Sequence, residues 1–589
     1  LIIGGASIDV LHFAGRVERS IGGAGLYTAL AAHRAGAHVT MFAPRPSPMP
    51  AELAPVAERI AWIGPSIPPA QLPMFEIAHY GHGKAELVNA RWGAESQLTV
   101  DNLPAEKISA DLVYCGPLAD PARQLAYVRH FKTRGYRVAV GTYGHAVKHF
   151  RETIQQIFSE ADIFFCNANE ATMLLGDVDQ AATLPGKLLF ITRSADGATI
   201  VQGDYRTSVP SIVIQELDPT GAGDTFAGTT MALLTQGIHP ILAAQQATIA
   251  AAEMVTAVGP TMLLQPPPLP AVPSDPRVHI DDVQIARVAK LIGELNEVAP
   301  FDFTGDDFPA IGEPHALDFF FASVLQQFGF WFDDGVRYSK PFTAKMNEHE
   351  LKGSDFLWAA YKRWLTDDAE GLSPAKQADI PREEFAQRLT SDDGQALPAI
   401  DDHWHSAQTY GRDLRALNWT PAEIIARANA STKPLQTFSS MLDHIGGYKE
   451  DPLRKKTTLL AIILQQRPEK FLRASASETV PPIIDYHLQR SCLRMGLLDI
   501  ADDHLRQALI DRALLSAQDE WAIRRAAYVA IERVQQLSGK SMGAVDWFFF
   551  GARRRCPEMT EPDCVHCPAD PVCAHRTKLF QPVRRTTFY

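Results

Sequence analysis

The sequence predicts a three-layer α/β sandwich with a small β lid, followed by an all-α domain. From Leu1 to about residue 264, short apolar runs alternate with helical stretches, the βαβ pattern of a mostly parallel sheet covered on both faces. Residues 265–277 begin Gln265-Pro-Pro-Pro-Leu-Pro, a stiff connector of polyproline character. Beyond 278 the alternation gives way to long amphipathic periods. At 589 residues the chain exceeds what one hydrophobic core serves, so domains at 1–264 and 278–589 are expected on either side of that linker.

Taken in order, Leu1–Asp9 reads as a buried strand running into a glycine turn. Ser20-Ile-Gly-Gly-Ala-Gly25 opens a small-residue helix over 26–35, and a strand follows at 38–42. Phe75–Val88 alternates with glycine punctuation, which suits a β lid over a ligand. Strand-like runs recur at 112–114, 137–140, 163–166 and 188–192. The apolar run Ile212–Ile214 leads into a glycine loop, a helix follows from Met231, and a small-residue helix spans 243–258. Helices are expected in the second half at 281–297, 314–332, 353–365, 421–430, 452–473, 481–498 and 519–537.

Composition narrows the function. A net charge of −12 disfavours a broad duplex-DNA footprint, so a small-molecule substrate is expected and no nucleic-acid partner. No apolar run reaches a membrane span and no signal segment opens the chain, so no membrane association is expected. Leu1 stands inside a strand, and a few native residues are expected to precede it. Cys115, Cys166 and Cys492 are scattered, whereas Cys556, Cys564, Cys567 and Cys573 cluster in a loop spanning 556–573. That is no secreted disulfide framework; it suggests a cytoplasmic protein with one metal or cluster site.

The strongest chemical signal is Asp218-Pro-Thr-Gly-Ala-Gly-Asp-Thr-Phe-Ala-Gly228. Gly221, Ala222 and Gly223 leave bare N–H groups at a helix N-terminus, an anion site. Asp224, set in that site, is suited to take a proton from a hydroxyl attacking a phosphate. A turn with a helix cap is the plainer alternative. Cys556-x7-Cys564-x2-Cys567-x5-Cys573 can converge on one metal or iron–sulfur cluster. The aromatics Phe328, Phe330 and Trp331 read as core or as a stacking slot for a flat heterocycle, and Asp485 as a helix N-cap or a catalytic carboxylate.

The Gly-Asp loop closely resembles the second signature of the ribokinase (PfkB) family of sugar and nucleoside kinases, and the likeness extends over the first half. It implies a ribokinase-like fold, ATP and Mg²⁺; the sequence leaves the oligomeric state open, a dimer through this domain being one alternative. Asp9 matches the residue that holds sugar hydroxyls, and Gly22 and Gly23 the first signature. Tyr27 stands where the family often has Asn; an aromatic there suits a nucleobase, or else packs. Asn167-Ala-Asn-Glu170 matches the element that orders Mg²⁺, and Thr192 to Gly197 resembles the segment lining the ATP site, with a strand and turn as the alternative.

The second half resembles helix-hairpin-helix base-excision glycosylases, where an Asp-bearing helix precedes a four-cysteine [4Fe–4S] loop; Zn²⁺ is the other candidate. The first spacer is seven residues where endonuclease III proteins have six. Lys455 and Lys456 read as too far from Asp485 to serve as the lyase lysine of that group. A closer likeness is to the queuosine salvage family of queuosine 5′-phosphate N-glycosidases. It is carried by Gln327-Phe-Gly-Phe-Trp331, Gly353-Ser-Asp-Phe-Leu-Trp-Ala-Ala360, Asp485-Tyr-His-Leu, Gly496 and the ending Arg584–Tyr589, with the cysteine loop as an addition. This likeness implies Asp485 as the catalytic carboxylate and Phe328, Phe330, Trp331, Asp355, Tyr486 and Arg490 as contacts to base or phosphate. The combined expectation is phosphorylation of a modified nucleoside followed by cleavage of its N-glycosidic bond. The alternatives are a kinase fused to a DNA or RNA base glycosylase, and a ligand-sensing kinase fold with a non-enzymatic helical module.

Overall fold

The computed structural model describes residues 1–589 except 14, 82, 83, 106, 107, 267 and 268. The tip of the expected lid and two linker prolines therefore lie outside the described residues. The chain divides into two compact units, Leu1–Val272 and Pro273–Tyr589.

The first unit is built on a nine-stranded sheet. Its strands in chain order are β1 (Ile2–Ile3), β2 (Thr40–Phe42), β3 (Ala61–Ile63), β4 (Val113–Cys115), β5 (Val138–Gly141), β6 (Ile163–Asn167), β7 (Leu188–Thr192), β8 (Ala198–Gln202) and β9 (Tyr205–Val209). In space they run β9-β8-β7-β6-β5-β4-β1-β2-β3, parallel throughout except for the β7-β8-β9 edge. The central strands are buried along their length, so they read as apolar runs rather than alternations. Three helices position the site: α1 (Ala24–Arg34), α2 (Ala168–Leu175) and α3 (Ala222–Thr235).

The expected first strand is in fact two. Gly4 and Gly5 carry the chain out of the main sheet into a second, four-stranded one, ordered Arg16–Gly22, Ser7–Phe13, Met74–Gly81 and Lys84–Arg91. A Cβ on Gly25 would lie 2.5 Å from the Gly4 carbonyl carbon, so α1 presses directly on this junction. One on Gly228 would lie 2.3 Å from the Thr28 oxygen. The small residues of α1 and α3 are thus what lets two helix backbones and a strand end converge.

The second unit is mainly helical. The helices that matter below are α4 (Ser354–Asp367), α5 (Lys455–Gln466), α6 (Tyr486–Met495), α7 (Ala517–Ser538) and α8 (Met542–Gly551). It is not all-α, because it also holds three two-stranded sheets. The helix expected over 314–332 stops at Val324; Gly329, with φ 75°, turns the chain into a hairpin of Trp331–Asp333 with Tyr338–Pro341. The 18-residue helix Ile400–Leu417 was not foreseen: its many His, Asp and Arg residues dilute the apolar stripe. Among the described residues no helix is long and apolar enough to cross a membrane.

Candidate active sites

In the first unit Asp224 stands in the first turn of α3, behind Gly221, which adopts φ 81° as the N-cap. A cavity of about 240 Å³ opens in front of it, lined among others by Gly23, Phe75, Trp92, Glu95 and Tyr143. Burial pushes the Asp224 carboxyl up to about 6, within the range of a working general base. No neighbouring atom lies within 4 Å of where a Gly223 Cβ would be, so this side of the loop is open to a ligand. Ala222 contributes less than expected, since its amide already donates to Pro219 O at 3.2 Å.

Tyr27 does not face the cavity. Its ring lies beneath Gly221, where an added Cβ would come within 2.4 Å of it. The tyrosine is a brace for the anion loop, and the aromatic wall of the cavity comes instead from Phe75, Trp92 and Tyr143. Phe75 and Trp92 meet edge to face at 5.1 Å. Sequence reasoning missed these three; Phe75, in the alternating lid, carried the only usable signal.

Asp9 is buried one layer behind the cavity lining, accepts the Phe75 amide at 3.2 Å, and touches Gly22, whose Cβ would clash with its carboxylate. Burial raises it to about 6, with Asp218 adding to the effect. Asn167 and Glu170 form a capping box on α2: Asn167 Oδ1 accepts the Glu170 amide at 2.9 Å, and Glu170 Oε2 accepts the Asn167 amide at 3.0 Å. Burial, and next the Asp224 charge, lifts Glu170 to about 7. The Asp224 charge opposes ionisation of Glu170, a cost that a divalent cation would relieve, so these residues fit Mg²⁺. Thr192 ends β7, and Gly197, at φ 89°, makes the turn into β8; neither lines the cavity.

In the second unit Asp485 caps α6, its Oδ1 accepting the Leu488 amide at 2.9 Å. It lines a cavity of about 500 Å³ with Phe330, Asp355, Tyr486, Lys455 and Asp546. Phe301 and Trp547, stacked at 4.6 Å, form part of the aromatic wall. Arg553 and Arg554 complete the lining; Arg553 forks onto Asp355 at 2.9 and 3.1 Å and lies 4.1 Å above Phe550.

Lys455 corrects the distance argument made from sequence. As the first residue of α5, its side chain reaches this cavity and donates to Gln327 O at 2.9 Å. Burial lowers its pKa, with Asp485 and Asp546 pulling the other way. Lys456 turns aside, donating to Leu325 O at 2.9 Å.

Three other expected contacts also lie elsewhere. Phe328 stacks on His403 at 4.0 Å, and Trp331 sits under Arg585 at 3.7 Å. Arg490 is fully buried, donates to Gln581 at 2.6 Å and pairs with Glu558 at 3.4 Å. Asp546 was missed, although one carboxylate inside the apolar run Ala544-Val-Asp-Trp-Phe-Phe-Phe550 is the kind of polar exception that marks a site.

Cys556, Cys564, Cys567 and Cys573 line one cavity of about 380 Å³. Arg494 Nη1 donates to Cys556 Sγ at 3.1 Å, and the His575 amide to Cys573 Sγ at 3.4 Å. Burial first, then Asp570 and the neighbouring thiols, pushes the Cys564 thiol up, and burial with the neighbouring thiols does the same to Cys573. Donors that hinder one another's ionisation until a cation arrives fit a metal or an iron–sulfur group. Cys564, Asp570 and His575 also bring donor atoms within 4.8 Å of one another.

Comparison with known proteins bears on the first unit. The family model described as pfkB family carbohydrate kinase matches residues 80–266. The cytidine kinase of Thermococcus kodakarensis is 30% identical over 251 residues, covering 40% of this chain and 88% of that protein. Fructokinase-1 of Oryza sativa subsp. japonica is 34% identical over 93 residues, 15% of this chain and 29% of that one. Among solved structures, the Burkholderia thailandensis nucleoside kinase in complex with inosine aligns with a TM-score of 0.39 at 18% identity, covering 45% of this chain and 94% of that one. Adenosine kinase from Sinorhizobium meliloti gives 0.39 at 19%, covering 44% and 94%. With the Asp224 loop inside the matched stretch and most of a kinase relative spanned, the chain belongs to the pfkB family of carbohydrate kinases.

Proposed function

We propose that the chain is a bifunctional nucleoside-salvage enzyme. Its first unit phosphorylates the 5′-hydroxyl of a nucleoside with ATP, and its second hydrolyses the N-glycosidic bond of the resulting monophosphate. The observation that carries the reading is the cavity around Asp485: one space offers a carboxylate for a cationic sugar, aromatic walls for a flat base and two arginines for a phosphate.

In the first step Asp224 takes the proton of the hydroxyl as it attacks the γ-phosphate, and the amides at the start of α3 stabilise the charge that develops. Asn167 and Glu170 would hold Mg²⁺, which would neutralise the phosphates. The aromatic trio Phe75, Trp92 and Tyr143 favours a nucleoside over a bare sugar, as does the likeness to a cytidine kinase. In the second step Asp485 stabilises the oxocarbenium-like sugar and positions water at the anomeric carbon. The new phosphate fits between Arg553, Arg554 and the N-terminus of α4, which begins at Ser354. The likeness to queuosine salvage proteins points to a 7-deazaguanine nucleoside, with queuine and ribose 5-phosphate as products. Cys556, Cys564, Cys567 and Cys573 would hold a [4Fe–4S] cluster, or Zn²⁺ in its place, which would tie down the C-terminal segment.

Incubation with queuosine and MgATP, followed by mass spectrometry, tests the scheme. A monophosphate appears first and a free base second; Asp224→Asn abolishes both, and Asp485→Asn lets the monophosphate accumulate. Free base released from unphosphorylated queuosine by the Asp224 variant refutes the order of steps.

A further inference from the structure

The cavity of the second unit contains a second, half-buried carboxyl group that the scheme above leaves without a task. Asp546 lies one and a half turns into α8, beyond the free amides of the helix N-terminus, and among the described residues no donor is bonded to its carboxyl. It shares the cavity with Asp485 and the Lys455 ammonium. Breaking a bond between sugar and heterocycle raises two electrostatic demands. Positive charge on the sugar needs an anion, and negative charge on the leaving base needs a proton.

We propose that Asp546 is the proton donor of this cavity, delivering its proton to a ring nitrogen of the departing heterocycle while Asp485 remains the anion beneath the sugar. This rests on the glycosidase reading above and adds a catalytic residue to it. The division of labour follows from surroundings. Burial raises Asp485 too, but Lys455 and the backbone amides it accepts at the head of α6 pull it back towards the ionised form. Asp546 has no such donors; burial, and then the Asp485 charge, pushes its pKa well up, opposed only by Lys455. Two carboxyls in one cavity whose surroundings separate them in this way become one acid and one anion.

The other groups around the cavity do not upset the assignment. Tyr486 and Tyr589 are held as neutral phenols by burial, and His487 is kept unprotonated by burial and Arg490. Asp355 is matched by Arg553, burial raises Asp307, and Arg554 is exposed at the edge. The step balances. The C1′–N bond breaks with its electron pair going to the base, which takes the Asp546 proton. Water forms the new C1′–O bond, and its surplus proton returns to the carboxylate pair.

The test compares two substrates on the full-length chain: a nucleoside 5′-monophosphate, and 4-nitrophenyl ribofuranoside 5-phosphate, whose leaving group departs without a proton. Asp546→Asn is expected to slow base release roughly 10²–10⁴-fold and to remove the alkaline limb of its pH profile, while nitrophenolate release stays within about threefold of wild type. Asp485→Asn slows both. Asp546→Glu, which keeps an acid, is expected to recover base release about tenfold over Asp546→Asn. Phosphorylation by the first unit serves as the internal control for intact protein. Equal losses on both substrates, no loss on either, or equal loss in the Glu and Asn variants overturns the donor role while leaving the glycosidase reading standing. A wild-type chain that releases neither base nor nitrophenolate overturns that reading and this inference with it.

Discussion

At the scale of single residues, this structure places ionisable groups where water is scarce. Asp9 and Asp224 have folded pKa values raised to about 6, and Glu170 to about 7, against about 4 in an unfolded chain. Between those values the folded state holds more protons than the unfolded one. Their contribution to stability is therefore full below about pH 4 and is lost as pH rises through 6 to 7. Asp224→Asn is accordingly expected to melt higher than wild type at pH 8 in thermal scans without ATP, with the gap closing at pH 5. Phosphorylation should fall about tenfold per pH unit below pH 6, where Asp224 is protonated, as a rate profile will read out. In the second unit Arg524 grips Asp451 through two bonds of 2.7 and 2.8 Å at zero exposure, and Asp451 in turn accepts the Lys455 amide at 2.8 Å. Arg524→Met leaves a buried charge unpaired and should cost about 3–5 kcal/mol in denaturant titration of that unit.

At the scale of elements, α6 joins the two proposed sites of the second unit, the Asp485 cavity and the cysteine loop. It begins at Asp485 and ends at Gly496, an αL cap at φ 82° where a Cβ would lie 2.6 Å from that of Ala574. Between them Arg494 bonds Cys556 Sγ, and Pro557 O at 2.9 Å. Gly496→Ala should therefore lower the melting point of the second unit and the metal retained per chain, measured by elemental analysis, while phosphorylation is untouched. How much was legible in the sequence divides by element too. The Asp224 loop was readable because its glycines, its carboxylate and the helix it starts are contiguous. The cavity of the second unit was not, because it collects Phe301, Ser354, Lys455, Asp485 and Asp546 from five separate segments. Lys455 and Asp485, thirty positions apart in sequence, meet because the ends of α5 and α6 converge on one space, which no local spacing reveals. Tyr27 could be read only as packing or as a base contact for the same reason: its partner Gly221 is nearly two hundred positions away.

At the scale of the whole chain, each unit carries its own buried core, one around Leu30, Phe190 and Ala247, the other around Phe320, Trp364 and Leu488. Two thermal transitions are therefore expected in calorimetry, with MgATP raising one and chelation of the metal lowering the other. Arg494 gives this partition a practical edge. The guanidinium that touches a cysteine sulfur sits on the same rod as the carboxylate that would cleave the nucleotide, a little over two turns along. Material handled in air, its thiols oxidised and that anchor slack, would still consume ATP and look like an ordinary sugar-phosphorylating enzyme. The second activity should emerge only from anaerobic preparations.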